Sequence, residues 1–576
     1  MNIFNKLKED IINAGKHVHD DNAILKLANL EIPKDSLNGD LSTNIAMIIA
    51  SRTGANPREI AIKFKELLAE VPYIANIEVA GSGFINFTIK ADSWQDCIKD
   101  ILLNEDFGKI NIGNGERINI EYVSANPTGP MHIGHARCAV YGDALSRLLT
   151  QCGYNVTKEY YINDAGSQVD DLAKTVMLRY DEALSGNKAL IPNNLYPGEY
   201  LIEVGKKIFE QYGDSLLKMS KTDSYKIVKN FAVQEMLSII KEDLKDLDIK
   251  HDIFFSEESL HNSGKIDEVI SILQGMGLIY EGQLPPPKGK IDDDWSERTQ
   301  KLFKSTVFGD VQDRPVQKSD GTWSYLASDL AYAKDKIDRG FDSLIYILGA
   351  DHSGYVKRIE AIVKALSNGQ VNVDVKICQL VNFVENSIPI KMSKRSGNFT
   401  TVKDVTNEVG KDIVRFMMLT RKNDALLDFD IKKVKEQSKD NPIFYVQYAF
   451  VRTISILDNC KKLIPEAYDK LLLNESNLSL LSSEEEIHII KLLASWPKVL
   501  EGAAKHFEPH RIAFYLLNLA AKFHALWNFG KENNDYRFLV EDNIDLTAAR
   551  LSLAKSIQKV IKSGFDIIGI EAMTKM

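Results

Sequence analysis

The segment from Ile118 to Ile162 most restricts what this chain can fold into. A strand-like run, Ile118–Val123, gives way to a loop, Ser124–Met131, that carries Asn126, Pro127, Gly129 and Pro130. A helix then runs to about Gln151, Gly153 ends it, and Val156–Ile162 is the next strand-like run. Strand, helix and strand in succession make a βαβ unit, which joins parallel strands and predicts a doubly wound, Rossmann-type sheet. A further run, Ser343–Leu348, ends in Gly349-Ala350-Asp351-His352 and reads as another strand.

At 576 residues the chain exceeds what one hydrophobic core usually fills, so three or four domains are expected. Residues 1–95 read as a small α+β domain. Asn56 caps a helix with Pro57 at its first position, running to about Ala69. A hairpin comes next, Ile77–Ala80 and Phe84–Ile89 around Gly81-Ser82-Gly83. That glycine pair reads as a turn, since no helix comes after it to bind phosphate. Gly108–Gly115 is a linker to a parallel-sheet domain at 110–385, in which Leu284-Pro285-Pro286-Pro287 marks a surface insertion. Residues 386–440 connect it to an all-α bundle at 441–576, with helical runs at Tyr445–Asp458, Glu484–Ala503, Arg511–Trp527 and Ala548–Ser563.

Composition sets limits. Hydrophobic residues are 44% and charged residues 26%, ordinary for a soluble globular protein. A net charge of −9 argues against a surface coated in positive charge, though a local basic face can act within an acidic whole. Five cysteines occur and none forms a CxxC pair, so neither a disulfide framework nor a cysteine-based zinc site is expected. The opening residues have no long apolar core, and no stretch approaches the roughly 18–20 apolar residues of a spanning helix. A cytoplasmic protein is expected, with no membrane partner.

Two short motifs carry chemistry. Met131-His132-Ile133-Gly134-His135 lies where a strand feeds a helix N-terminus. Such a terminus offers unpaired N–H groups and partial positive charge to a phosphate, the imidazoles add donors, and Gly134 lets a flat base or ribose approach. Alone, the same residues fit ordinary capping. A metal reading lacks the Glu of HExxH and a third ligand, so no metal site is assigned. The second motif, Lys391-Met392-Ser393-Lys394, precedes Arg395-Ser396-Gly397-Asn398. A mobile loop with two ammonium groups can close over a triphosphate and neutralise the departing pyrophosphate. A lone basic turn of this kind would more often be a solvated surface. No GxxxxGK[ST] occurs, which disfavours a P-loop ATPase.

Together the two motifs on a βαβ crossover resemble the class I aminoacyl-tRNA synthetases. The residues around them are similar to the arginyl-tRNA synthetase family in its bacterial form. They are Glu121–Pro130, Tyr161–Gln168, Ser319–Asp329, Gly349–Tyr355 and Asp440–Ala449. The resemblance spans essentially the whole chain. It implies ATP-dependent activation of L-arginine to arginyl-adenylate and transfer to the 3′ end of tRNA-Arg, with AMP and pyrophosphate released. It also implies Mg²⁺ accompanying ATP, a monomer, an elbow-contacting N-terminal domain and an anticodon-binding C-terminal domain.

The resemblance also assigns roles to residues of this chain. His132, His135, Lys391 and Lys394 match the catalytic groups. ATP would be held around Pro127, Gly129, His132, Gly134, His135, Gly349, Asp351, His352, Met392 and Ser393. Arginine would be held by Glu121, Ser124, Asn126, Glu257, Tyr325, Asp329 and Asp351, with the neighbouring Glu258 left as the alternative to Glu257. Tyr325 and Asp329 are four apart and so share a helical face. Asp329 can take a guanidinium through two parallel hydrogen bonds. The tRNA would meet Tyr445, Gln447, Tyr448 and Arg452, with Phe514, Tyr515, His524 and Trp527 as further suitable groups, some of which must instead be core. Two other readings compete. A synthetase for another amino acid is one, although the cysteine-specific kind would need zinc. A non-catalytic tRNA-binding relative is the other, and it should have lost one of the motifs.

Overall fold

The structure, a computed structural model, describes residues 3–33, 35–284, 299–318, 320–385, 388–389, 401–436 and 441–576. The insertion expected at Leu284–Pro287 therefore falls, from Pro285 on, outside the described residues. So does the whole of Lys391–Lys394.

The centre is a five-stranded parallel sheet. In chain order its strands are β1 (Arg117–Glu121), β2 (Asn155–Ile162), β3 (Ile253–Ser256), β4 (Ser343–Gly349) and β5 (Asn372–Cys378). In space they run β5-β4-β1-β2-β3. The chain leaves β1 toward β2 on one side, while β4 and β5 fill the other. The order reverses between β1 and β4, and the crevice at the carboxyl ends there is where such sheets bind ligands. β1 is buried over Ile118–Glu121, as a central parallel strand must be. Its strand assignment ends two residues earlier than expected, at Glu121, because Val123 and Ser124 turn to positive φ, +70° and +40°.

Helices flank the sheet and form the C-terminal bundle. α1 (Ile133–Gln151) crosses from β1 to β2. α2 (Ser167–Ser185) and α3 (Lys221–Asp246) belong to the long β2–β3 connection, and α4 (Glu257–Asn262) begins directly after β3. α5 (Tyr325–Asp338) precedes β4, and α6 (Val356–Ser367) lies between β4 and β5. The bundle includes α7 (Pro442–Leu463), α8 (His510–Glu532) and α9 (Ile544–Ile568). α1 is buried on nearly all sides, since the sheet covers one face and α9 with the Trp496–His506 helix covers the other.

The N-terminal domain is a four-stranded antiparallel sheet, including the hairpin Ile74–Ala80 and Phe84–Ile89, with helices packed on it. The Asn56 side chain accepts from Arg58 N–H at 2.9 Å and caps the Pro57–Leu68 helix. A helix at Ala91–Leu103 ties this domain to the C-terminal bundle, where Gln95 Nε2 donates to the Leu481 carbonyl at 2.8 Å. The expected single run Glu484–Ala503 is two helices, Glu484–Ala494 and Trp496–His506. Pro497 has no N–H to continue the first and suits the opening turn of the second. All five cysteines are buried free thiols. Among the described residues no helix is long and apolar enough to cross a membrane.

Candidate active site

His132 is the N-cap of α1. Its own N–H meets His135 Nδ1 at 3.3 Å, its side chain faces the N–H of His135, and the two rings stack with centroids 3.7 Å apart. A Cβ at Gly134 would lie 3.0 Å from His132 Cε1, so a side chain there would push the imidazole away. Buried Asp243 on α3 accepts from Met131 N–H at 2.9 Å, and burial lifts its carboxyl to about 6. Thr401 bridges antiparallel to His132, and Val402 N–H donates to the Met131 carbonyl at 2.9 Å. Thr401 and Val402 thus join the start of α1.

The loop between β1 and α1 is strained and held. A β-branched residue at positive φ, as at Val123, is a genuine outlier. Ser124 Oγ accepts from Tyr161 N–H at 3.1 Å and donates to Glu121 Oε1 at 3.3 Å. Tyr160 Oη donates to the Ala125 carbonyl at 2.6 Å.

Four carboxylates gather under this loop, and their surroundings sort them. Glu121 and Glu159 sit opposite each other in the β1–β2 register. Like charges so placed need cations, and α5 with the residue after it supplies them. Lys336, fully buried, pairs with Glu121 at 2.6 Å. Arg339 grips Glu159 through two bonds of 2.7 and 2.9 Å, and Tyr332 Oη donates to it at 2.7 Å.

Glu257 and Asp329 are different. Asp164, at the end of β2, accepts from Ser256 Oγ at 2.6 Å and Glu258 N–H at 2.8 Å, which fixes the first turn of α4. Glu257 is thereby buried, 5% exposed, whereas Glu258 is partly exposed. Burial raises the Glu257 carboxyl, opposed by His261 at 3.8 Å and by hydrogen bonds from Ser328 and Tyr161. Asp329 is partly exposed at the cleft, and no ion pair within 4 Å holds it among the described residues. Desolvation lifts it to about 7; Arg358 opposes the rise, and Glu257 and Glu121 add to it. Asp329 and Glu257 thus lie near enough for the charge of Glu257 to add to the rise at Asp329.

Tyr325 is 57% exposed, one turn before Asp329 on the same helix. Asn126 Nδ2 donates to Gln168 Oε1 at 2.8 Å. Gly349 closes β4, and Asp351 and His352 come next in an exposed 3₁₀ turn, 3.5 Å apart. A Cβ on Gly349 would meet Asp351 Oδ1 at 2.6 Å. Pro127 is buried and Gly129 half-buried in the β1–α1 loop. Sequence reasoning assigned no role to Tyr161, His261, Lys336 or Glu159. Lys336 had a signal, since it lies two turns after Asp329 on the same face.

In the C-terminal bundle Tyr448 is 47% exposed, and the Arg452 guanidinium lies over it at 4.3 Å and over Trp527 at 4.7 Å. His524 accepts from Arg452 at 3.0 Å and donates to the Tyr445 carbonyl at 3.0 Å. Phe514 is exposed near the start of α8. Gln447 departs from the expectation. It is buried, donating to the Glu571 carbonyl at 2.7 Å and accepting from Met573 N–H at 3.0 Å, so its amide ties down the C-terminus. Tyr515 is also core, donating to the Leu492 carbonyl at 2.9 Å.

Two depressions of about 430 and 270 Å³ lie elsewhere. They are lined by Thr150, Gln151 and Lys158, and by Glu116, Ser343 and Asn372, near the amino ends of the strands and away from the crevice at the carboxyl ends. Among the described residues no group of three or more His, Cys, Asp or Glu is placed to hold a metal ion.

A doubly wound sheet with a His-Ile-Gly-His helix start at its switch point, joined to a helical bundle, defines a class I aminoacyl-tRNA synthetase. Residues 97–445 match the family model described as tRNA synthetases class I (R), catalytic domain. Residues 3–89 match the arginyl tRNA synthetase N terminal domain, and 446–576 the DALR anticodon binding domain. The chain belongs to the arginyl-tRNA synthetase family. It is 66% identical over 577 residues to the arginine–tRNA ligases of Rickettsia bellii (strain OSU 85-389) and Rickettsia felis, covering 100% of each chain. The solved arginyl-tRNA synthetase of Thermus thermophilus shares the fold, with a TM-score of 0.73 at 17% identity over 100% of both chains.

Proposed function

We propose that the chain couples cleavage of ATP to AMP and pyrophosphate with the joining of L-arginine to the 3′ end of tRNA-Arg. The arginine carboxylate attacks the α-phosphate of ATP, giving arginyl-adenylate, and the terminal adenosine hydroxyl of the tRNA then attacks the adenylate carbonyl. Positioning and electrostatics carry such chemistry. The observation that carries the choice of arginine is the sorting of the carboxylates. Glu121 and Glu159 are matched by Lys336 and Arg339, while Asp329, near Glu257, has no ion-pair partner within 4 Å among the described residues and is free to take a guanidinium.

In this reading Asp329 and Glu257 take the guanidinium and Tyr325 covers it. Ser124, Asn126 and Asp351 hold the α-amino and carboxylate end. Glu121 acts mainly by fixing Ser124. His132, His135 and the α1 N-terminus receive the phosphates, with Pro127, Gly129, Gly134, Gly349 and His352 around the nucleotide. Lys391, Met392, Ser393 and Lys394 close over it, and Mg²⁺ enters bound to the triphosphate. Residues 1–95 meet the tRNA elbow and 441–576 the anticodon. The Tyr448–Arg452–Trp527 array supports the latter, because aromatic and guanidinium planes stack unpaired bases. The protein acts as a monomer in the cytoplasm.

Aminoacylation of unfractionated tRNA with each amino acid in turn tests the reading. Arginine alone should be charged. Efficient charging of another amino acid, or of none, would overturn it.

A further inference from the structure

The connection between β2 and β3 builds a helical module with its own core, including Leu172, Val176, Leu201, Ile208 and Met236. Two of its side chains hydrogen-bond back to the β1–α1 loop. Gln168 accepts from Asn126 at 2.8 Å and Tyr200 Oη donates to the Thr128 carbonyl at 2.7 Å, while Tyr196 lies beside Thr128. The approach is close. A Cβ added to Gly129 would lie 2.7 Å from Tyr200 Oη, so no other residue fits there without displacing the tyrosine.

This is also the loop whose backbone is strained at Val123 and Ser124. A strained segment keeps its shape only where its surroundings over-determine it. The Ser124–Ala125 half is held by β2, through Tyr160 and Tyr161. The Asn126–Gly129 half is held by the helical module, whose core is separate from that of the sheet.

We propose that Tyr200, assisted by Tyr196, is a positioning residue that sets the Pro127–Gly129 stretch of the loop against the nucleotide. The placement of the helical module thereby controls ATP affinity. The inference rests on the proposed ATP-binding role of this loop, and it is separate from the choice of arginine.

Tyr200→Phe removes only the hydroxyl. One lost hydrogen bond to a part-buried carbonyl should raise KM for ATP about tenfold. The Kd for ATP measured by calorimetry should rise equally, while KM for arginine and Tm stay at wild-type values. Tyr196→Phe/Tyr200→Phe should give a larger rise. Unchanged ATP affinity in the double variant overturns the proposal. So does a loss that affects arginine and ATP equally together with a lowered Tm, because that marks a structural role. Calorimetric ATP binding needs no amino acid, so it reads the proposal even if the wild-type protein charges something other than arginine.

Discussion

Val402 N–H donates to the Met131 carbonyl at 2.9 Å, which ties the start of the Val402–Val409 helix to the residue before His132. The Thr401 side chain also accepts from Asp404 N–H and caps the next helix, Val402–Val409. Thr401 and Val402, far from His132 in sequence, thus meet it at one helix N-terminus.

On the role proposed for Lys394, Lys394→Ala should slow adenylate formation by about 10²–10³, the usual cost of one lost transition-state donor. Arginine binding should barely change. Single-turnover measurement of adenylate checks this, and an unchanged rate would remove Lys394 from the mechanism.

Asp329→Asn should weaken arginine binding by roughly 3–5 kcal/mol, since it leaves a guanidinium in a partly desolvated site without its partner. Discrimination against citrulline, neutral at that end, should shrink. Wild-type kcat/KM for arginine in the variant would contradict the assignment.

The same residue predicts a pH profile. Desolvation pushes the Asp329 carboxyl up to about 7, and the arginine guanidinium stays charged throughout. kcat/KM for arginine should therefore fall as pH drops through about 7 and level off above it, and Asp329→Asn should flatten that inflection. The stability effect has the opposite sense. A carboxyl raised on folding binds more protons folded than unfolded, so its contribution to stability is lost as pH rises from about 4 through about 7. Asp329→Asn should then have a higher Tm than wild type at pH 8. An equal or lower Tm there would argue that the carboxylate is well solvated.

Tyr448→Ala should raise KM for tRNA-Arg, by the ~1–3 kcal/mol typical of one lost stacking platform, and leave KM for ATP unchanged. As a companion test, placing an arginine anticodon in a non-cognate tRNA should raise its charging substantially. If anticodon changes leave kcat/KM unaltered, the bundle has another task.

Arg415→Met tests the joint between domains. Arg415 is fully buried and donates to Asp143 Oδ2 at 2.6 Å, to the Leu247 carbonyl at 2.8 Å and to the Ile568 carbonyl at 2.8 Å. Removing one member of such a buried pair costs about 3–5 kcal/mol, because the other charge stays buried. Urea unfolding should show this loss. A loss below about 1 kcal/mol would show that Asp143 is satisfied by Arg147 alone.

The sequence by itself determined the local units and the chemical inventory. Caps, prolines and apolar spacing act within a few residues, so Asn56-Pro57, the Phe84–Ile89 strand and the α1 helix ending at Gln151 were legible. So were the two motifs and the stripe of Tyr325 and Asp329. Tertiary structure decided what those residues face. Gln447 was a plausible surface amide until the C-terminal segment came to rest on it. Glu257 and Glu258 are neighbours of identical chemistry, and only Asp164, reaching across from the next strand, turns the first inward. Whether a carboxylate is neutralised or left waiting for a substrate depends on cations dozens to hundreds of residues away, as Lys336 is from Glu121. Pairing across such distances is set by strand order and helix packing, which local spacing does not encode.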